Sequence, residues 1–260
     1  MRTLVAPLVV LALAPAGCGH GDQDVGTLAF SAGRLWGARY SPDGSQLAVA
    51  FGDEEKVGVV DLDALRLVEL TGGASYLTGT AWSPAGDAIY YNGTGGVFRI
   101  APGGGAPTRI NDGFATMGVD ASPDGRTLAY GVNGGNARLW DLTTSTETTL
   151  DRKCQAIRFS PTGDRLACVS DGALVVMPVA GGPVTTVQPD TLPFIVGLDW
   201  YADGQALLAT TSRGVERFTL SGARTIVANA YGAIEIDLSP DDGTLVYLVN
   251  GESVLHRVPL

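Results

Sequence analysis

Three aspartates are the residues best placed to do chemistry. Asp120, Asp199 and Asp237 each stand directly before the residue that leads into a recurring turn. Carboxyl groups that converge on one cavity can hold and pass protons, as in lyases or hydrolases acting on saccharides or lactones. The same groups can instead accept hydrogen bonds from neighbouring backbone, a purely structural use. Other catalytic routes find little support. The only two histidines, His20 and His256, cannot build a cluster of imidazole metal ligands. No Gly-x-Ser-x-Gly nucleophile elbow appears. Asp61-Leu62-Asp63 lacks the third acid, the glycine and the closing glutamate of a calcium loop. Gly103-Gly104-Gly105 and Asn133-Gly134-Gly135-Asn136 fall between strand patterns, whereas phosphate cradles open helices. No metal and no cofactor is expected.

The elements that position these residues come from one repeat. Tyr40-Ser41-Pro42-Asp43-Gly44 returns as Trp82-Ser83-Pro84-Ala85-Gly86, Ala121-Ser122-Pro123-Asp124-Gly125, Phe159-Ser160-Pro161-Thr162-Gly163, Trp200-Tyr201-Ala202-Asp203-Gly204 and Leu238-Ser239-Pro240-Asp241-Asp242. Counted from Pro42, the spacings are 42, 39, 38, 41 and 38 residues. Repeats near 40 residues signal a propeller or an array. Proline fixes φ at the second turn position, and glycine accepts a positive φ at the exit. Five residues past the proline position an aliphatic always follows: Leu47, Ile89, Leu128, Leu166, Leu207, Leu245. The alternation around each turn reads as two antiparallel strands, and each unit as four strands. The sixth unit has no fourth strand before Leu260, while the N-terminal end has a spare one, Gly26–Phe30. The sequence therefore predicts an all-β, six-bladed β-propeller with four-stranded antiparallel blades. The N-terminal strand closes the last blade and removes an open edge.

Composition narrows the partners. The chain has 45% hydrophobic and 17% charged residues and a formal net charge of -10. So acidic a surface repels phosphate backbones and anionic headgroups, so no nucleic acid partner is expected. Residues 1–17 read as an export signal: Arg2, an apolar run from Leu4 to Ala14, then Ala16-Gly17 before Cys18. The run is too short for a comfortable membrane span. Small residues before a cysteine resemble the bacterial lipoprotein signal, which implies a lipid on Cys18. Pro15 departs from that pattern, where leucine is preferred. Residues 18–24 form a polar tether and residues 25–260 the propeller domain. The protein is expected to be exported and lipid-anchored to the cell envelope, on the outer membrane or periplasmic side in a Gram-negative cell.

The six turns together with the export signal resemble the TolB-type six-bladed β-propellers, cousins of the WD-repeat propellers. Asn136-Ala137-Arg138-Leu139-Trp140-Asp141-Leu142 is similar to the WD-repeat strand ending in Trp-Asp. The resemblance implies the fold and leaves function open, because propellers serve as docking platforms, accessory domains and enzymes. The extra N-terminal domain of TolB is not present here.

Two further features follow from the predicted blades. Cys154 and Cys168 flank one hairpin, and export would place them in an oxidising compartment. If Phe159 faces Leu166, Cys168 lies across from Ile157 and Cys154 on the other face, so a disulfide needs a bulge near Cys154. A bonded pair and two separate thiols both remain open. The segments leading into each blade carry Trp36, Tyr76, Phe114, Phe194 and Tyr231 in five of six cases. These aromatics either rim a channel mouth that binds a protein segment, peptide or glycan, or pack between blades. The leading expectation is a monomeric, non-enzymatic protein- or peptide-interaction propeller that binds through the loop face around the channel mouth. The alternatives are an enzyme using Asp120, Asp199 and Asp237, and a structural envelope scaffold.

Overall fold

The alternating residues on either side of each turn pair as the repeat requires. In the first blade Tyr40 faces Leu47 and Arg39 faces Ala48; in the fourth Phe159 faces Leu166. The computed structural model describes residues 10–12, 26–30, 33–52, 54–71, 73–74, 77–112, 115–188 and 197–260. Among them the chain forms six antiparallel sheets and no helix. This is the six-bladed propeller expected from the repeat.

In each blade the strand before the turn is innermost: Leu35–Tyr40, Gly79–Trp82, Ala115–Ala121, Ile157–Phe159, Leu198–Trp200 and Ala233–Leu238. Each touches the innermost strands of its neighbours, and the last touches the first, which closes the ring. Gly26–Ala29 pairs antiparallel with Val254–Pro259, Leu28 facing Leu255, and completes the sixth blade as predicted. Val10–Ala12, part of the apolar run, adds a fifth strand outside Gly26–Ala29. Cleavage before Cys18 would remove that strand and leave a four-stranded blade like the other five.

Six apolar clusters hold the ring, each between the facing sheets of two neighbouring blades. The aliphatic five residues past each proline position is their anchor: Leu47, Ile89, Leu128, Leu166, Leu207 and Leu245 are all 0% exposed. Burying such a side chain stabilises by about 1.5–3 kcal/mol. Stability is thus spread around the ring, and the channel can carry charged groups that a single central core would exclude.

Candidate binding site at the channel mouth

The turns build the rim of one mouth, at the end of the innermost strands opposite the segments that lead into each blade and carry Trp36 and Tyr231. In the first, Gly44 N–H donates to Ser41 O (2.9 Å), and Asp43 accepts from the Ser41 hydroxyl (2.6 Å) and Ser45 N–H (3.1 Å). Where the third turn position is Ala85 or Thr162, Asp87 or Asp164 supplies the carboxylate to the serine instead. Each turn glycine then sits over the proline of the preceding blade. A Cβ on Gly44 would stand 3.3 Å from Pro240 Cδ, and one on Gly163 3.3 Å from Pro123 Cδ. With φ of 75° at both, only glycine occupies these positions without strain. The ring of turns surrounds a cavity of about 320 Å³.

The cavity is charged at depth. The position before the turn-flanking residue lines it in every blade: Arg39, Ala81, Asp120, Arg158, Asp199 and Asp237. The aspartates bridge blades. Asp120 accepts Phe159 N–H (2.7 Å), Asp199 accepts Leu238 N–H (2.8 Å), and Asp237 accepts Tyr40 N–H (2.6 Å). Where this position holds arginine, the next blade brings tryptophan: the Trp82 indole donates to Arg39 O (3.0 Å) and the Trp200 indole to Arg158 O (3.3 Å). Ala81 offers no such bridge to the third blade.

Beneath the cavity lies Glu235, 5% exposed. The corresponding residues in blades one, two, three and five are Gly37, Gly79, Gly118 and Gly197. A Cβ on Gly37 would stand 3.2 Å from Gly79 Cα, so the backbones there are in near contact. The fourth blade has Ala156, and only the sixth has at this position a side chain long enough to reach across. Its Oε1 accepts from Arg39 Nη2 (2.8 Å) and Arg158 Nη2 (2.9 Å), joining arginines from the first and fourth blades. Arg39 also pairs with Asp237 through Nη1.

Burial governs the electrostatics. It pushes Asp120 up to about 7 and Glu235 up to about 8, in both cases against the pull of Arg39. Burial also raises Asp199 and Asp237, again opposed by Arg39; Asp199 is further restrained by hydrogen bonds, one of them to Asp237. For Arg39, burial opposes the charge, and Asp237 followed by Glu235 more than restores it. Among the described residues no three carboxylates stand close enough to hold one metal ion.

The three sequence-predicted aspartates are therefore brought together, with raised proton affinities, while each also bonds the neighbouring blade's backbone. Of the five aromatics, two fall among the described residues. Trp36 is half-buried at a bulge and lies against Gly52, where an added Cβ would stand 2.2 Å from its Cδ1. Tyr231 is 66% exposed. Tyr76, Phe114 and Phe194 lie outside the described residues, as do Cys18 and His20. His256 is on the closing blade, its Nε2 2.9 Å from Glu252 Oε2 and its ring stacked on Tyr247.

Cys154 and Cys168 are bonded, with Cα atoms 5.5 Å apart. The required bulge is present: Gln155 N–H donates to Val169 O while Val169 N–H donates to Ala156 O, so two residues oppose one. Arg39, Arg158 and Glu235 are functional candidates that motif reading missed. For the arginines the signal was in the column directly before the turn-flanking residue, which reads Arg39, Ala81, Asp120, Arg158, Asp199 and Asp237; for Glu235 it was the column two residues earlier, otherwise glycine or alanine.

No family model and no curated protein matches the chain. Two solved structures are similar in fold. A chain of hydrazine synthase from Kuenenia stuttgartiensis has 14% identity and a TM-score of 0.65, over 93% of this chain and 99% of that one. The Cps50 (Swd1) beta-propeller domain from Myceliophteria thermophila has 15% identity and a TM-score of 0.69, over 92% of this chain and all of that one. At such identities the likeness is one of fold: this chain is a six-bladed β-propeller.

Proposed function

We propose that the protein is a non-enzymatic interaction propeller of the bacterial envelope that seats a protein or peptide segment at the mouth of its channel. The observation that supports this most is the commitment of the channel aspartates. Asp120, Asp199 and Asp237 each already bind the next blade's backbone, so they stiffen a cavity of fixed shape. A rigid concave site that needs no reordering favours recognition. The envelope address rests on the leader-like residues 1–17 and on Cys18 as the lipid-bearing residue. Photocrosslinking from Pro84 or Ala202 at the turn rim, set against Tyr231, tests the reading in intact cells. A discrete partner segment crosslinked from either mouth supports it, and the absence of one from both overturns it.

A second reading is favoured by the hydrogen-bonded Asp199 and Asp237 facing the cavity with raised proton affinities. Such a pair could transfer protons in a lyase or hydrolase acting on saccharides or lactones. Turnover of such a substrate that Asp199→Asn abolishes, with the variant still folded, would replace the interaction reading with this one.

A further inference from the structure

The cavity wall carries more acidic than basic residues. Asp120, Asp199, Asp237 and Asp242 face Arg39 and Arg158, and Glu235 lies beneath, bridging the two arginines. Fully ionised, four wall carboxyls would outnumber two guanidiniums; burial instead raises the proton affinity of all four, so the wall holds protons that an entering cation can replace. Outside, every turn adds an aspartate: Asp43, Asp87, Asp124, Asp164, Asp203 and Asp241. Arg126 and Arg165, just after the third and fourth turns, and Arg99, 3.5 Å from Asp87, are counter-charges among them. A rim in which acids outnumber bases favours cations at the mouth.

The carboxylates come from four different positions on three blades, and no three converge on a point ion. Dispersed acceptors suit a spread or mobile charge, such as a guanidinium or an ammonium on a flexible stem. The ring also has one unfilled place: Ala81 lines the cavity where the other five innermost strands carry charged side chains.

We propose that the cavity receives a lysine or arginine side chain from a basic segment of a partner protein, seated over the open place at Ala81 among Asp120, Asp199, Asp237 and Asp242. This rests on the interaction reading above and names the chemistry of its ligand. Protonation accompanies it. Asp120 and Glu235 hold protons up to about 7 and about 8, so an entering cation displaces protons from the cluster. Binding therefore tightens as pH rises through that range, by as much as tenfold per pH unit for each proton released.

The test uses the full mature chain and two acetylated, amidated pentapeptides, identical except that one has a central arginine and the other citrulline. Titration calorimetry at pH 6, 7 and 8, repeated at pH 7 in buffers of different ionisation heat, reads affinity and proton release together. The expected result is binding of the arginine peptide at least about tenfold tighter than citrulline. Its affinity should rise with pH, and protons should pass to the buffer. Ala81→Arg, which supplies a tethered cation to the open place, should abolish binding. Asp242→Asn, which keeps an acceptor for Ala202 N–H at the rim, should weaken binding while the fold persists. Equal binding of the two peptides, binding of neither, or affinity independent of pH overturns the proposal. Should crosslinking from Pro84 or Ala202 capture a partner segment without lysine or arginine, the interaction reading stands and the cation falls. Should no rim or loop position capture a segment, both fall.

Discussion

The Asp242 carboxylate accepts the Ala202 backbone N–H through both oxygens, at 3.1 and 3.0 Å. These are the two places where the turn repeat loses its proline and its exit glycine. Everywhere else a glycine sits over the preceding blade's proline, which has no N–H. Here proline has become alanine, exposing an N–H, and glycine has become aspartate, supplying the acceptor. Asp242 holds the glycine's conformation, with φ of 57°. Two apparent defects are one compensating pair.

Reversal of that pair should be non-additive. Ala202→Pro alone removes the donor and pushes a ring toward the carboxylate, costing about 1 kcal/mol. In an Asp242→Gly background the same change should stabilise by about 0.5–1 kcal/mol, since proline then restricts only the unfolded chain. Denaturant unfolding of the four proteins gives the coupling directly. Additive effects would show that the two residues are independent.

The buried acids make stability fall as pH rises. Asp120 binds its proton more tightly folded, with its pKa raised from 3.8 to about 7. Its contribution is fully present below the unfolded value and is lost as pH passes through about 7. Asp120→Asn should flatten the melting-temperature profile across that window and be least harmful at its alkaline end. The turn acids act oppositely. Asp43, Asp124, Asp164 and Asp241 sit below the usual carboxylate range because serine or threonine side chains donate to them. Their contribution is present above the unfolded carboxylate value and disappears as pH falls through the folded one. A profile for Asp120→Asn parallel to that of the unmutated protein would refute the assignment.

Removing Glu235 should be the most damaging single change in the channel. It leaves Arg39 and Arg158, each 5% exposed, without the carboxyl oxygen to which both donate. Each buried donor left without its acceptor costs about 1–3 kcal/mol. Glu235→Gln keeps an acceptor and should cost less than Glu235→Ala. Urea midpoints at neutral pH check the order.

The disulfide closes a sequence separation of 14 residues. On loop-closure grounds its loss should cost about 3 kcal/mol. The double variant Cys154→Ala, Cys168→Ala should therefore unfold at lower urea. A thiol assay on the unfolded, unreduced mature chain should find neither residue free.

The two described aromatics should separate packing from binding. Trp36→Ala uncovers Gly52 and should cost about 1–3 kcal/mol. Tyr231→Ala should leave stability within about 0.5 kcal/mol, because Tyr231 is 66% exposed. Loss of partner crosslinking in Tyr231→Ala, with its melting temperature unchanged, would assign the opposite mouth a share in recognition.

The sequence by itself determined the architecture. A turn with its own hydrogen-bonding logic, an aliphatic at a fixed offset and a strand left over at the N-terminus suffice to dictate six blades and their closure. These are local and periodic signals, so they survive without knowledge of the third dimension. The grouping of Asp120, Asp199 and Asp237 was legible only as a shared position before the turn. That Arg39 reaches from the first blade to Glu235 and Asp237 in the sixth was not legible, because the residues stand 196 and 198 positions apart. Nor was the pairing of Ala202 with Asp242, which reads as two lapses until neighbouring turns are laid side by side. Ring closure decides these contacts: it turns six equivalent positions into one circle, and only there do charges and vacancies along the chain face one another.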